Sequence, residues 1–218
     1  MTGASPHQSP AAPAPRRVLI AGVGNLLRAD DGFGVEVARR LLANPLHLLG
    51  VDVTIIETGI GGMHLVQELL SGYDALVVLD AVDRGATPGT LFLLEPERVD
   101  SAAWSPEARR DFFADTHYAE PSHALALAEA VGALPPRVLV VGCQVTTVDD
   151  LVHELSPPVA RALDRILPRI PDIVRDLVSG PCDAATIAEG TTTAIDPVNP
   201  GVDCVQFLLM NWGHDPKE

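Results

Sequence analysis

Five apolar runs of strand length recur along the chain: "RVLIAGV" (17–23), "VDVTIIE" (51–57), "DALVVLD" (74–80), "TLFLLEP" (90–96) and "RVLVVGC" (137–143). A strand that is apolar at successive positions has no face to turn to water, so it must be covered on both sides. Helical patterns between the runs can supply that cover. "GFGVEVARRLLAN" (32–44) sets Val35, Ala38, Leu41 and Leu42 on one stripe and stops before Pro45. "GMHLVQELLSG" (62–72) ends on Gly72, and "PSHALALAEAVGAL" (121–134) offers Ser122 as a cap. "SPPVARALDRIL" (156–167) has Ser156 at the N-cap and Pro157 at the first helical position. Strand alternating with helix predicts a three-layer α/β/α fold, Rossmann-like or phosphorylase/hydrolase-like, with a mostly parallel twisted sheet and right-handed crossovers. The link "AVDRGATPG" between the third and fourth runs holds no helix, so those two strands are expected to pair antiparallel.

The 218 residues suit one compact domain with appendages, and the β/α rhythm sets that domain at 17–178. Residues 1–16, "MTGASPHQSPAAPAPR", lack an early basic region and an apolar stretch, and are expected to form a disordered Pro/Ala-rich tail and not a signal peptide. Residues 97–120 are polar and poorly periodic, an excursion with one short helix. Residues 179–218 lose the rhythm and are expected to be a C-terminal extension docked by "VQFLLMNW". With 15 Lys+Arg against 29 Asp+Glu the formal charge is −14, which disfavours nucleic acid as a partner. No apolar run reaches the roughly 18 residues that a membrane span needs. Cys143, Cys182 and Cys204 are odd in number and form no CxxC pair, which fits a reducing, cytoplasmic setting.

In a parallel sheet of this kind, strand C-termini and the N-termini of the following helices share one edge, where such folds place their sites. Asp30 and Asp31 lie between the first strand and its helix, and Thr58 and Gly59 follow the second strand. Asp80 closes the third, Gln144 follows the fifth, and His123 opens the third helix. A carboxylate at the end of an apolar strand is partly buried, so Asp80 must be paired, protonated or metal-bound. Two aspartates and a neutral imidazole form an O,O,N set suited to divalent zinc or nickel. Two aspartates can equally share one proton. The spacing does not choose between them.

Nucleophilic chemistry is disfavoured: there is no GxSxG elbow, and Cys143 has the surroundings of a small buried hydrophobe. A dinucleotide site is the main alternative. "GVGN" after the first strand begins like a Gly-rich phosphate loop, and Glu57 ends the second strand as ribose recognition requires. Leu27, however, stands where the third glycine is needed, and the charge of Asp30 and Asp31 at the helix start would repel a pyrophosphate.

"GVGNLLRADDGFGVEVARRL" resembles the opening of the [NiFe]-hydrogenase maturation endopeptidases, and the resemblance continues through "ETGIGGMHL", "DALVVLDAV", "PSHALALAEAV", "RVLVVGCQ" and "HELSPPVARAL" over about 17–167. It implies a peptidase that removes the C-terminal peptide from the precursor of a hydrogenase large subunit once nickel is in place. It also implies a nickel-reading set of Asp31, Asp80 and His123, with Asp31 and Asp80 as catalytic candidates. On the same resemblance the metal is expected to come with the precursor, with zinc or cadmium able to take its place. Asp31 is chosen over Asp30 because it directly precedes Gly-x-Gly, which leaves Asp30 as the helix cap. Two departures stand out: Ile60 occupies the position of a common threonine, and Val145 that of a common proline. Hydrolysis could be metal-assisted or of aspartic type, and a non-catalytic module that only binds the loaded precursor is a further alternative.

Overall fold

The computed structural model describes residues 14–59, 61–96, 98, 105, 107, 121–146 and 153–179, with the backbone of 208–210. Its strands are β1 (Arg16–Val23), β2 (Val51–Gly59), β3 (Ala75–Val82), β4 (Leu91–Pro96), β5 (Arg137–Gln144) and the short β6 (Leu208–Met210). Its helices are α1 (Phe33–Ala43), α2 (Gly62–Leu69), α3 (Pro121–Ala130), α4 (Pro157–Ile166) and α5 (Ile170–Ser179). The sheet order is β2-β1-β3-β5-β4-β6. Strands β2, β1, β3 and β5 run parallel, β4 lies antiparallel on β5, and β6 is parallel to β4.

The expected pairing of β3 with β4 is therefore wrong in its neighbour, though right in its sense. Both edges of β3 are taken by parallel partners, β1 and β5, and β4 joins the sheet outside β5. The link from β3 crosses the end of β5, where Gly89 N–H donates to the Gln144 carbonyl at 2.8 Å and Gln144 N–H donates to the Thr90 carbonyl at 2.8 Å. A β4 inserted beside β3 would separate two fully apolar strands that need each other's hydrogen bonds.

Alternation along the strands builds two cores. On one face Val18 and Ile20 of β1 and Val77 of β3 pack with Phe33, Val37 and Leu41 of α1, Leu163 of α4 and Val174 of α5. On the other, Leu19, Ala21 and Leu76 pack with Leu65 and Leu69 of α2 and Leu125 of α3. Each fully buried Leu or Val contributes about 1.5–3 kcal/mol, so the two layers together hold the sheet against its helices.

Local expectations needed adjustment where geometry outranks pattern. The buried stripe of α1 runs through Phe33, Val37, Ala38 and Leu41, while Leu42 is 46% exposed because it lies about 100° round from Leu41. Ser122 sits inside the first turn of α3, which begins at Pro121, so it is not the cap. That helix stops at Ala130 because Gly132 takes φ +71°, and Ala133 and Leu134 both donate to the Ala128 carbonyl. Helix α5 was not anticipated: Pro168 falls in a 3-10 turn and Pro171 in the first turn of α5, where a missing N–H is tolerated. The chain enters β1 at Arg16, one residue earlier than expected. The rest of the tail, nearly all of 97–120 and most of 179–218 lie outside the described residues, as do Ile60, His117, Cys182 and Cys204. No helix among the described residues is long and apolar enough to cross a membrane.

Candidate functional site

The glycines after β1 pack backbone against backbone. Gly24 has φ +124°, and a β-carbon there would fall 1.8 Å from the Asp31 carbonyl oxygen. A β-carbon on Gly34, in the first turn of α1, would fall 2.0 Å from the Leu79 carbonyl oxygen. The first contact folds the loop onto itself, and the second seats the start of α1 on the end of β3. Together they bring the 3-10 turn Ala29–Gly32, which carries Asp31, against the strand that carries Asp80. The glycine pattern read as a possible phosphate cradle is a packing device, and the Asp31 carbonyl stands where the open face of such a cradle is needed.

Asp80 is only 7% exposed, two residues before the end of β3 and not at its close. Burial pushes its carboxyl up to about 8; the Ala81 N–H opposes the shift, and the charge of Asp31 adds to it. Asp31 is half-buried and is also raised, first by burial, against the lowering effects of the Asn25 N–H and the Arg28 charge. Its Oδ2 accepts the Asn25 N–H at 3.0 Å. The two carboxyls thus sense each other across the strand end, and near neutral pH one of them holds a proton. Such a pair can accept a proton from water and return one to a leaving group, or exchange its proton for a cation.

His123 lies in the first turn of α3, which leads into β5, so the topology sets it on the same edge. Its Nδ1 is buried and has no hydrogen-bond partner among the described residues. Among the described residues no three His, Cys, Asp or Glu side chains converge closely enough to hold a metal ion by themselves. The structure therefore joins Asp31 to Asp80 and sets His123 on their edge without adding it to the pair.

Asp30 is not the cap of α1. The N-cap position is Gly32, with no side-chain bond, and Asp30 is fully buried. Its carboxylate accepts the N–H groups of Thr146 (2.8 Å) and Ser156 (2.7 Å) and the Ser156 hydroxyl (2.9 Å). Ser156 does precede α4, but its hydroxyl serves Asp30 and not the helix. Thr58 and Gly59 end β2 itself, and the Thr58 hydroxyl donates to the Gly22 carbonyl at 3.0 Å. Gln144, the last residue of β5, accepts the Arg84 and Ala86 N–H groups on Oε1 and donates through Nε2 to Asp83. Sequence reasoning found these polar residues but could not assign their partners, which lie 36 or more residues away along the chain. Cys143 is buried, as expected of a small hydrophobe, and burial pushes its thiol up to about 12.

Comparison with known proteins gives a consistent result. A family model described as hydrogenase maturation protease matches residues 35–173, a span that includes Asp80 and His123 and starts just after Asp31. The hydrogenase expression/formation protein HupD of Rhodobacter capsulatus is 32% identical over 188 residues, 86% of this chain and 82% of that protein. The corresponding HupM of Azotobacter chroococcum mcd 1 is 35% identical over 167 residues, 77% of this chain and 71% of that protein. Among solved structures, the hydrogenase maturating endopeptidase HybD of E. coli superposes with a TM-score of 0.56 at 23% identity, over 73% of this chain and 93% of that one. A hydrogenase 2 maturation peptidase from Thaumarchaeota archaeon SCGC_AB-539-E09 gives 0.51 at 26% identity, over 73% and 99%.

Proposed function

We propose a function from one premise: this chain belongs to the hydrogenase maturation protease family. It is a peptidase, and a dinucleotide site no longer competes with that reading. Its substrate in this proposal is the precursor of a [NiFe]-hydrogenase large subunit, from which it removes the C-terminal peptide after nickel has been inserted. The step takes place in the cytoplasm, and nickel arrives as part of the substrate.

The observation that carries the reading is the Asp31–Asp80 pair at the strand ends, with Asp80 buried beside a second carboxyl. A pair holding a proton is poorly disposed to keep a free cation but well disposed to exchange that proton for one presented on a protein. In the proposal Asp31 and Asp80 meet the nickel held by the precursor, and His123 supplies a third contact once the precursor is docked. Zinc or cadmium can stand in for nickel, since all three accept oxygen and imidazole ligands. Water then adds to the scissile carbonyl, giving up one proton to a carboxylate of the pair. The C–N bond breaks as the departing amine takes a proton, so one water is consumed for each peptide released.

Co-expression of the chain with its large-subunit precursor, followed by intact-mass measurement of the precursor, tests the proposal. A precursor shortened at its C-terminus supports peptidase action. A stable complex containing full-length precursor supports a module that only binds.

A further inference from the structure

We propose that Asp30 is the positioning residue for Asp31: its buried carboxylate ties the 3-10 turn to the residues flanking β5 and α4 and so sets where Asp31 faces. The inference rests on the reading of Asp31 given above. In the turn Ala29–Gly32 successive side chains project about 120° apart, so the direction of one acid determines the direction of the next. Asp30 points inward and is 0% exposed. Its three donors come from Thr146, two residues after the end of β5, and from Ser156, directly before α4. The Thr146 and Ser156 hydroxyls also lie 3.1 Å apart, which closes the arrangement.

A second observation shows that the turn needs an anchor. Ala29, immediately before Asp30, has φ +46°, the only positive value at a non-glycine residue among those described. A residue held in the left-handed region persists only where its surroundings over-determine it. Asp30 is the group that does so, since its bonds reach from the turn to two other elements. The adjacent acids therefore divide the work. Asp30 faces the protein and fixes the turn, while Asp31 faces Asp80.

Processing of nickel-loaded precursor by the full chain provides the test, with rates normalised to folded protein by circular dichroism. Asp30→Asn removes an acceptor from the donor cluster and is expected to lower kcat at least about tenfold while KM stays within about threefold, since misplacement by about 1 Å can be that damaging. Ser156→Ala, which keeps both backbone donors, is expected to lower kcat by a smaller factor, and Ser156→Thr to restore it; this pair decides the matter if Asp30→Asn does not fold. Wild-type kcat in Ser156→Ala, or in folded Asp30→Asn, while Asp31→Asn is inactive, overturns the inference and leaves the proposed function standing. Wild-type kcat in Asp31→Asn overturns both.

Discussion

Asp80 is buried two residues from the end of β3, and the charge of Asp31 adds to the burial that keeps its proton in place up to about pH 8. Burial of Asp80 is the larger cause, and the neighbouring carboxyl adds to it. The pair exists because two close glycine contacts seat the Asp31 turn on the strand that carries Asp80.

This pairing predicts how stability varies with pH. The unfolded Asp80 loses its proton near its ordinary value of 3.8, and the folded one near 8. Between these values the folded state binds more protons, so stability is fully present below about pH 4, falls as pH rises, and levels off above about pH 8. Denaturant titrations of Asp80→Asn across this range are expected to show a flatter profile than the wild type, with the variant gaining relative to it towards pH 8. Parallel profiles would contradict the assignment.

Gly34→Ala is expected to be severely destabilising, because its β-carbon meets the Leu79 and Val23 carbonyl oxygens at 2.0 and 2.4 Å and neither is a side chain that can swing away. The loss should be at least about 1–3 kcal/mol, the usual range for overpacking, and it should lower Tm in thermal denaturation. An unchanged Tm would mean that α1 does not sit on β3 as described.

At Ala29 the sign is reversed. Replacing a small buried side chain with glycine normally weakens a fold, but φ +46° makes alanine the strained residue here. Relief of about 1–2 kcal/mol of left-handed strain should offset the roughly 0.5–1 kcal/mol of added backbone entropy. Ala29→Gly is therefore expected to match or slightly exceed the wild type in denaturant midpoint, and a clear loss would argue against a strained turn.

Cys143 is expected to be chemically silent. With its thiol pushed up to about 12 inside the core, almost no thiolate forms at pH 8. Iodoacetamide labelling read by peptide mapping should leave Cys143 unmodified in the native chain and modify it after unfolding. Cys143→Ala should process precursor normally, since no step assigned here uses sulfur.

Much of this arrangement is legible in the sequence, for identifiable reasons. Uninterrupted Val/Ile/Leu runs mark β1, β3 and β5 as strands buried on both faces, and that property alone orders strand ends and helix starts on one edge. That rule and the family resemblance put Asp31, Asp80 and His123 forward; the structure sets Asp31 beside Asp80 and leaves His123 outside the pair. The neighbour of β4 did not follow from the sequence, because a short link constrains strand direction more tightly than strand adjacency. The role of Asp30 was hidden for a related reason. Adjacent acids in a one-turn segment look alike in sequence, and what separates them is contact with Thr146 and Ser156, more than 100 residues further along the chain. Helix α5 was missed, and its two nearby prolines hold positions in their turns that make them harmless.

The most direct test compares purified wild type, Asp31→Asn and Asp80→Asn in one assay, measuring the intact mass of large-subunit precursor with and without nickel. The account predicts a shortened precursor only with the wild type and only when nickel is present, with both variants folded and inactive. Wild-type cleavage by either variant, or equal cleavage of nickel-free precursor, would contradict it.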